Sequence, residues 1–305
     1  MDFVAFGLIL DDIVFRDGRT QMGVMGGGGP QTAFGLRMWS DSVGLVAEVG
    51  PDLPESILRW LRESGVDGAG LHFSEKPTPR AWQLLEGDGT RRHIWRMAAP
   101  VTGAEVGRSL GALPEGYRSA RGFHFGVHPD EPDFEFARGL RALGGVTSME
   151  LFKPADARPS PEALFALLSA ADIVSLNLAE ARSLVGPYPP LVLAQKLIEA
   201  GAAVLALRMG SGGALVAEGK TGQGARIPAY AVKDAPELGA GNAFSGGFLA
   251  GWAEEHDLVT AGLQGAISAS LLIGQIGAPT VGPELRVEAR DRLKALTPRV
   301  ERIGL

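Results

Sequence analysis

Cysteine is absent from the 305-residue chain, which excludes a disulfide framework, a thiolate zinc site and a cysteine nucleophile. Its absence is neutral about compartment. Basic runs are missing too. With 29 Lys and Arg against 35 Asp and Glu and a net charge of −6, the chain lacks the electrostatic footprint that nucleic-acid binding needs, so nucleic acid is not an expected partner. No stretch reaches the ~18 uninterrupted apolar residues of a membrane span, and no membrane partner is expected. The N-terminal apolar run is too short for a signal core, has no basic leader and is interrupted by Asp11 and Asp12, so a cytoplasmic location is the expectation. What the chain has in quantity is glycine, 43 residues, roughly twice the average usage of about 7%. Hydrophobic residues make up 45%, enough for a sizeable core.

Short β-type runs alternate with helix-length amphipathic segments. Phe3 to Leu10, Val43 to Val49, Ile173 to Leu176 and Ala203 to Arg208 read as strands, and Gln31 to Trp39, Glu55 to Ser64, Leu191 to Ala200 and Ala243 to Glu255 as helices. Such alternation implies a parallel sheet covered on both faces, with ligands at the carboxyl ends of its strands. Residues 1–305 are read as one domain of the α/β class. Two stretches depart from the rhythm: Ile13 to Gly23 is polar and turn-rich, and Arg80 to Met97 alternates around Glu86-Gly87-Asp88-Gly89, a hairpin signal. Both suit a small antiparallel sheet outside the main body, or ordinary surface hairpins.

Several chemical motifs fail on inspection. Gly219-Lys220-Thr221 resembles the end of a P-loop, but Ala214 stands where the first glycine belongs. No G-x-G-x-x-G or G-x-S-x-G is present. His124 and His128 stand four apart in a strand-then-loop context without accompanying ligands, and are expected to be structural. The segment Leu238-Gly239-Ala240-Gly241-Asn242-Ala243 is different. Glycines let successive backbone N–H groups turn toward one point, and the dipole of the helix that follows adds partial positive charge there. Taken alone, the segment equally suits a glycine-rich loop that merely caps a helix with Asn242.

Other segments join it in a recognisable order. Gly26-Gly27-Gly28-Gly29-Pro30-Gln31-Thr32-Ala33, Glu48-Val49-Gly50-Pro51-Asp52, Asp172 to Glu180, Gly210-Ser211-Gly212-Gly213 and Gly239-Ala240-Gly241-Asn242 together resemble the ribokinase/PfkB carbohydrate kinase family over nearly the whole chain. The resemblance implies a ribokinase-like three-layer α/β/α sandwich with a mainly parallel central sheet and a small β lid, the lid segments falling at about 13–25 and 74–98. It implies ATP and Mg2+ as cofactors, a sugar-like small molecule as substrate and a homodimer through the lid. Position by position, Asp12, Gly27, Gly28 and Gln31 match the sugar-binding residues. Asn177 and Glu180 match the N-x-x-E motif that organises magnesium, and they also suit a helix capping box. Arg208, Gly210, Ser211 and Gly213 fall in the region beside the nucleotide phosphates, and Gly239, Ala240, Gly241 and Asn242 match the catalytic segment.

The chain departs from the pattern at three places. Gln31 replaces the usual asparagine. The usual Asp-x-x-Gly-Ala-Gly spacing is stretched by two residues after Asp234. Asn242 occupies the position of the family's catalytic aspartate, and a neutral amide orients a hydroxyl but does not usefully hold its proton. Two expectations follow. One is an ATP-dependent phosphotransferase acting on a sugar-like hydroxyl with weakened activity or a substitute base, Glu237 or Asp12. The other is a catalytically inactive protein of the same fold that binds nucleotide or sugar in a regulatory or scaffolding role.

Overall fold

The computed structural model describes residues 1–86, 91–96, 109–232 and 238–305. The hairpin turn at Gly87–Gly89, Met97, Asp234 and Glu237 lie outside the described residues.

Among the described residues, ten strands form the main sheet. In chain order they are β1 (Phe3–Phe6), β4 (Val43–Val49), β5 (Val66–Phe73), β8 (Gly122–Val127), β9 (Val146–Leu151), β10 (Ile173–Asn177), β11 (Val204–Arg208), β12 (Ala214–Glu218), β13 (Gln223–Ile227) and β14 (Glu301–Gly304). They lie in the order β14-β13-β12-β11-β10-β9-β8-β1-β4-β5. From β11 to β5 every pair is parallel, and β12, β13 and β14 extend one edge antiparallel.

Alternate residues of each strand enter two separate cores, as the period of two requires. Phe3, Ala5, Leu45, Ile173, Val204 and Val216 face one side, and Val4, Phe6, Val46, Val174, Leu205 and Leu215 the other. Helices α1 (Gly29–Arg37), α2 (Glu55–Ser64), α7 (Ala240–Glu255), α8 (Leu258–Leu272) and α9 (Pro283–Leu296) cover the first face, and α3 (Phe134–Ala142), α4 (Pro161–Leu168), α5 (Leu178–Val185) and α6 (Pro190–Glu199) the second. The result is three layers, α/β/α.

Helix α7 is buried on every side from Ala243 to Trp252 and apolar there except for Ser245, as suits a helix packed between neighbours. It lies close against α1 because Gly35 and Gly246 leave no room for a Cβ between the two backbones. That approach brings the start of α7 beside the start of α1.

The expected strand Phe3 to Leu10 is in fact two. β1 ends at Phe6, Gly7 adopts φ 93°, and β2 (Ile9–Val14) leaves the main sheet for a second, four-stranded one of order β3-β2-β6-β7. Its other strands are β3 (Thr20–Gly26), β6 (Arg80–Leu85) and β7 (Arg91–Trp95). This sheet is mixed rather than antiparallel, because β2 and β6 pair in parallel. They are separate chain segments with the main-sheet strands between them, so no hairpin dictates their direction. Among the described residues no helix is long and apolar enough to cross a membrane.

Candidate active site

The carboxyl ends of β9, β10 and β11 lie side by side, with Glu150 in register with Ser175 and Asn177 with Arg208. β10 and β11 thus end in polar residues, and β9 carries Glu150 one residue before its end, at the edge where a parallel sheet receives ligands. Helix α7 begins above this row.

Gly239, the residue before α7, has φ 80°, a left-handed conformation that costs a side-chain-bearing residue roughly 1–2 kcal/mol. Among the described residues no side chain caps the helix. Gly239, Ala240, Gly241 and Asn242 are half-buried rather than packed away, so the first turn of α7 is partly open and its N–H groups supply the positive end of its dipole. Gly241 lies against the Arg208 guanidinium with no space for a Cβ.

The two glycine segments meet there. A Cβ at Gly28 would collide with the Asn242 amide and stand 3.6 Å from Glu150 Oε1, and one at Gly239 would collide with the Gln31 side chain. Gln31 donates to the Met25 carbonyl at 2.9 Å. Its Oε1 is buried and has no partner among the described residues, so an acceptor on this side chain lacks a donor.

Below Asn242 lies a buried polar network that the sequence reading missed. Asn242 Nδ2 donates to Glu150 Oε1. Ser245 Oγ, one turn along α7, lies 3.2 Å from Glu150 Oε2, 3.0 Å from Ser175 Oγ and 3.0 Å from the Gly241 carbonyl. His124 packs against Ser148 Oγ through Nδ1 at 3.0 Å and places Nε2 3.7 Å from Glu150 Oε1. Arg208 bridges two carboxylates, with Nη1 3.5 Å from Glu150 Oε2 and Nη2 3.5 Å from Glu180 Oε2. Burial pushes the Glu150 carboxyl up, but His124, the Arg208 guanidinium and the Ser245 hydroxyl together hold it below the ordinary carboxylate value of 4.5. Glu150 is therefore an ionised carboxylate inside the protein. A signal for it was available: a lone charged residue near the carboxyl end of the short β-type run Val146–Leu151.

Asn177 and Glu180 form a reciprocal capping box at the start of α5. Asn177 Oδ1 accepts from the Glu180 N–H at 2.9 Å, and Glu180 Oε2 accepts from the Asn177 N–H at 2.8 Å. The cap also fixes the Glu180 carboxylate beside Arg208. Gly210 and Ser211 are exposed in a short 3-10 turn that directly follows β11, and Gly213 packs against the Ile227 carbonyl.

Asp12 is placed differently from these residues. It is fully buried on β2, where its carboxylate accepts from the Gly23 N–H at 2.8 Å and from Arg96, with Arg80 at 3.8 Å. Arg96 also covers the Trp82 ring at 4.7 Å, and Arg80 reaches Asp52 at 3.1 Å. Asp12 thus anchors the arginines of the small sheet.

The donors around Arg208 are carboxylate and amide oxygens. No group of three or more His, Cys, Asp or Glu suited to a metal ion occurs among the described residues. One or two carboxylates with waters and phosphate oxygens is the set Mg2+ prefers, so Glu180 and Asn177 fit a magnesium ion carried in with a polyphosphate.

The fold and this cleft define a class of protein, and comparison with known proteins agrees. The chain matches the model of the pfkB family carbohydrate kinases over residues 2–284 and belongs to that family. It is 27% identical over 261 residues to a cytidine kinase of Thermococcus kodakarensis, covering 85% of this chain and 91% of the relative. Among solved structures it is similar to a fructokinase with bound ATP from Xylella fastidiosa, with TM-score 0.74 and 21% identity, covering 96% of this chain and 99% of that one. It is also similar to the aminoimidazole riboside kinase of Salmonella enterica, with TM-score 0.73 and 18% identity, covering 96% and 100%. The three-layer sandwich is ribokinase-like.

Proposed function

We propose that the protein transfers the γ-phosphoryl group of ATP to a hydroxyl of a sugar or sugar-like small molecule. The observation that carries this reading is the meeting of the uncapped, half-buried start of α7 with Gly28 and Gln31 on one side and with Arg208 on the other. An anion cradle and an acceptor pocket thereby share one cleft. The amides of Gly239, Ala240 and Gly241 stabilise charge that develops on the transferred group. Arg208, with Gly210, Ser211 and Gly213, holds the nucleotide phosphates. Asn177 and Glu180 hold Mg2+ through its waters, and when bound the ion neutralises phosphate charge and aligns the phosphoryl group for in-line attack.

On the acceptor side, Gly27 and Gly28 allow close approach of the backbone, and the free Oε1 of Gln31 accepts from an acceptor hydroxyl. Asp12, with its carboxylate already engaged, acts through Arg80 and Arg96, which it holds over the pocket. The small sheet serves as a lid that excludes water as a competing acceptor. Kinases of ribose-bearing substrates stand among the relatives, so nucleosides are the first acceptors to try, then pentoses and hexoses.

The test is acceptor-dependent ADP release from Mg·ATP in a coupled assay over cytidine, adenosine, ribose, fructose and a keto-sugar acid. Release above the acceptor-free rate with at least one of them is the expected result. Binding of Mg·ATP without turnover on any acceptor would instead fit a binding protein that keeps the kinase fold.

A further inference from the structure

Phosphoryl transfer to a hydroxyl releases a proton, and Asn242 does not take it: an amide oxygen accepts a hydrogen bond but is not basic enough to hold a proton near neutral pH. The orientation of Asn242 is set by its partner. A carboxylate oxygen only accepts, so the group facing Glu150 is the amide NH2 and the Asn242 carbonyl oxygen faces away from Glu150.

Of the described carboxylates near the cleft, Asp11 is held against Gly26 and accepts from Gln83 at 3.0 Å. Asp12 is fully buried among Arg80, Arg96 and the Gly23 amide, and Glu180 is committed to the cap of α5, to Arg208 and, in the reading above, to Mg2+. Glu150 remains. It contacts Asn242 directly, its Oε1 reaches van der Waals distance of the space above Gly28, and its side chain keeps 8% exposure. That space is where the acceptor sits in the reading given above, on which this inference rests.

We propose that Glu150 is the general base of the phosphoryl transfer and that Asn242 orients both the acceptor hydroxyl and this carboxylate. As the acceptor oxygen forms its bond to the γ-phosphorus, the O–H bond breaks and its proton passes to Glu150. The bond between the γ-phosphorus and the bridging oxygen breaks, and its electron pair leaves on ADP. In place of the aspartate expected at position 242, the acid stands on β9 and the amide on α7, joined by a hydrogen bond that requires one of each.

The exchange makes an aspartate at 242 harmful rather than restorative. Asn242→Asp sets two carboxylates in contact, and one of them must take up a proton or repel the other. Glu150→Gln with Asn242→Asp rebuilds the pair in reverse. The charged and titratable groups facing Glu150 are His124 of β8 and Arg208 of β11, with Glu180 of α5 beyond Arg208. From α7 only Asn242 and Ser245 bond to it, and α1 approaches through the glycine that precedes it. None of these neighbours is altered in the three variants.

The experiment compares wild type, E150Q, N242D and E150Q/N242D with Mg·ATP and the acceptor panel named above, alongside Mg·ATP affinity by calorimetry and urea midpoints at pH 5 and pH 8. We expect kcat of E150Q to fall about 10²- to 10⁴-fold, the usual worth of a general base, with Mg·ATP affinity within about threefold of wild type. N242D should be no faster than wild type, and the double variant should recover at least about tenfold over E150Q. Turnover of E150Q within about threefold of wild type, or N242D faster than wild type, overturns the proposal.

The stability comparison does not depend on finding the acceptor. Relative to wild type, N242D should lose more of its urea midpoint at pH 8 than at pH 5, and the double variant should not. Equal losses at both pH values overturn the contact on which the base is assigned, even if E150Q folds poorly. A wild type that binds Mg·ATP but turns over no acceptor overturns the role of Glu150. One that neither binds nor turns over overturns the kinase reading itself, and the midpoints then report on the contact alone.

Discussion

Arg208→Met removes one guanidinium from between two carboxylates while keeping most of the apolar stem, and its consequence can be worked from two distances. Arg208 stands 3.5 Å from Glu150 Oε2 and 3.5 Å from Glu180 Oε2. At an effective dielectric constant of ~20 each contact is a gross attraction of roughly 5 kcal/mol, most of which offsets the cost of bringing the ions out of water. Removing one partner of a buried pair costs about 3–5 kcal/mol because the other charge is left behind. The Arg208 side chain is 13% exposed, so water screens part of the loss, and about 3 kcal/mol is expected.

The pH dependence of this loss separates it from simple loss of packing. In the wild type Glu150 titrates below its ordinary 4.5, so its contribution is present above the unfolded value and is lost as pH falls through the folded one. Without Arg208, burial is opposed by His124 and Ser245 alone and the folded carboxyl titrates higher than in the wild type, so the variant's deficit is full at pH 8 and shrinks as pH falls through that raised value. Urea unfolding at both pH values therefore shows the deficit of R208M larger at pH 8 than at pH 5. A deficit below about 1 kcal/mol, equal at both, would refute the account of Arg208 as the counterion of a buried acidic pair.

Gly239→Ala places a Cβ at φ 80° and against Gln31; a stability loss of about 1–2 kcal/mol is expected by urea unfolding, with Mg·ATP affinity reduced in calorimetry. Asn177→Ala removes the cap of α5, which is worth about 1 kcal/mol, and releases Glu180, so the Mg2+ concentration giving half-maximal ADP release should rise. Arg96→Ala strips the small sheet of its contact with Asp12; KM for the acceptor should rise about tenfold, equivalent to 1.4 kcal/mol, while KM for ATP stays unchanged.

What was legible in the sequence were features whose cause is local. The helix over Glu55–Ser64 and the strand over Val43–Val49 follow from side-chain periodicity, and both were read with the observed boundaries. The capping box of Asn177 and Glu180 needs only residues three apart. The parallel order of β2 and β6 was missed because that pairing joins segments separated by main-sheet strands. Glu150 was missed for the same reason, since it meets Asn242 across 92 residues of chain.

A departure from a family pattern at one position is therefore poorly judged at that position alone. Read along the chain, Asn242 is a lost carboxylate. Read across the sheet, parallel register sets Glu150, Ser175, Asn177 and Arg208 along one edge, and α7 lowers Asn242 and Ser245 onto it. The negative charge absent from the helix then stands on the strand below, within hydrogen-bonding reach of the amide that replaced it. An ionised carboxylate with this little solvent is costly unless paired, and here its partners are one guanidinium, one amide, one hydroxyl and a nearby imidazole. An apolar residue at 150 would fill the same volume without that cost, but it would leave the amide of Asn242, the hydroxyl of Ser245 and the charge of Arg208 to be satisfied elsewhere. Retaining the charge is physically reasonable if the cleft uses it, and that is the condition the paired substitutions at 150 and 242 examine.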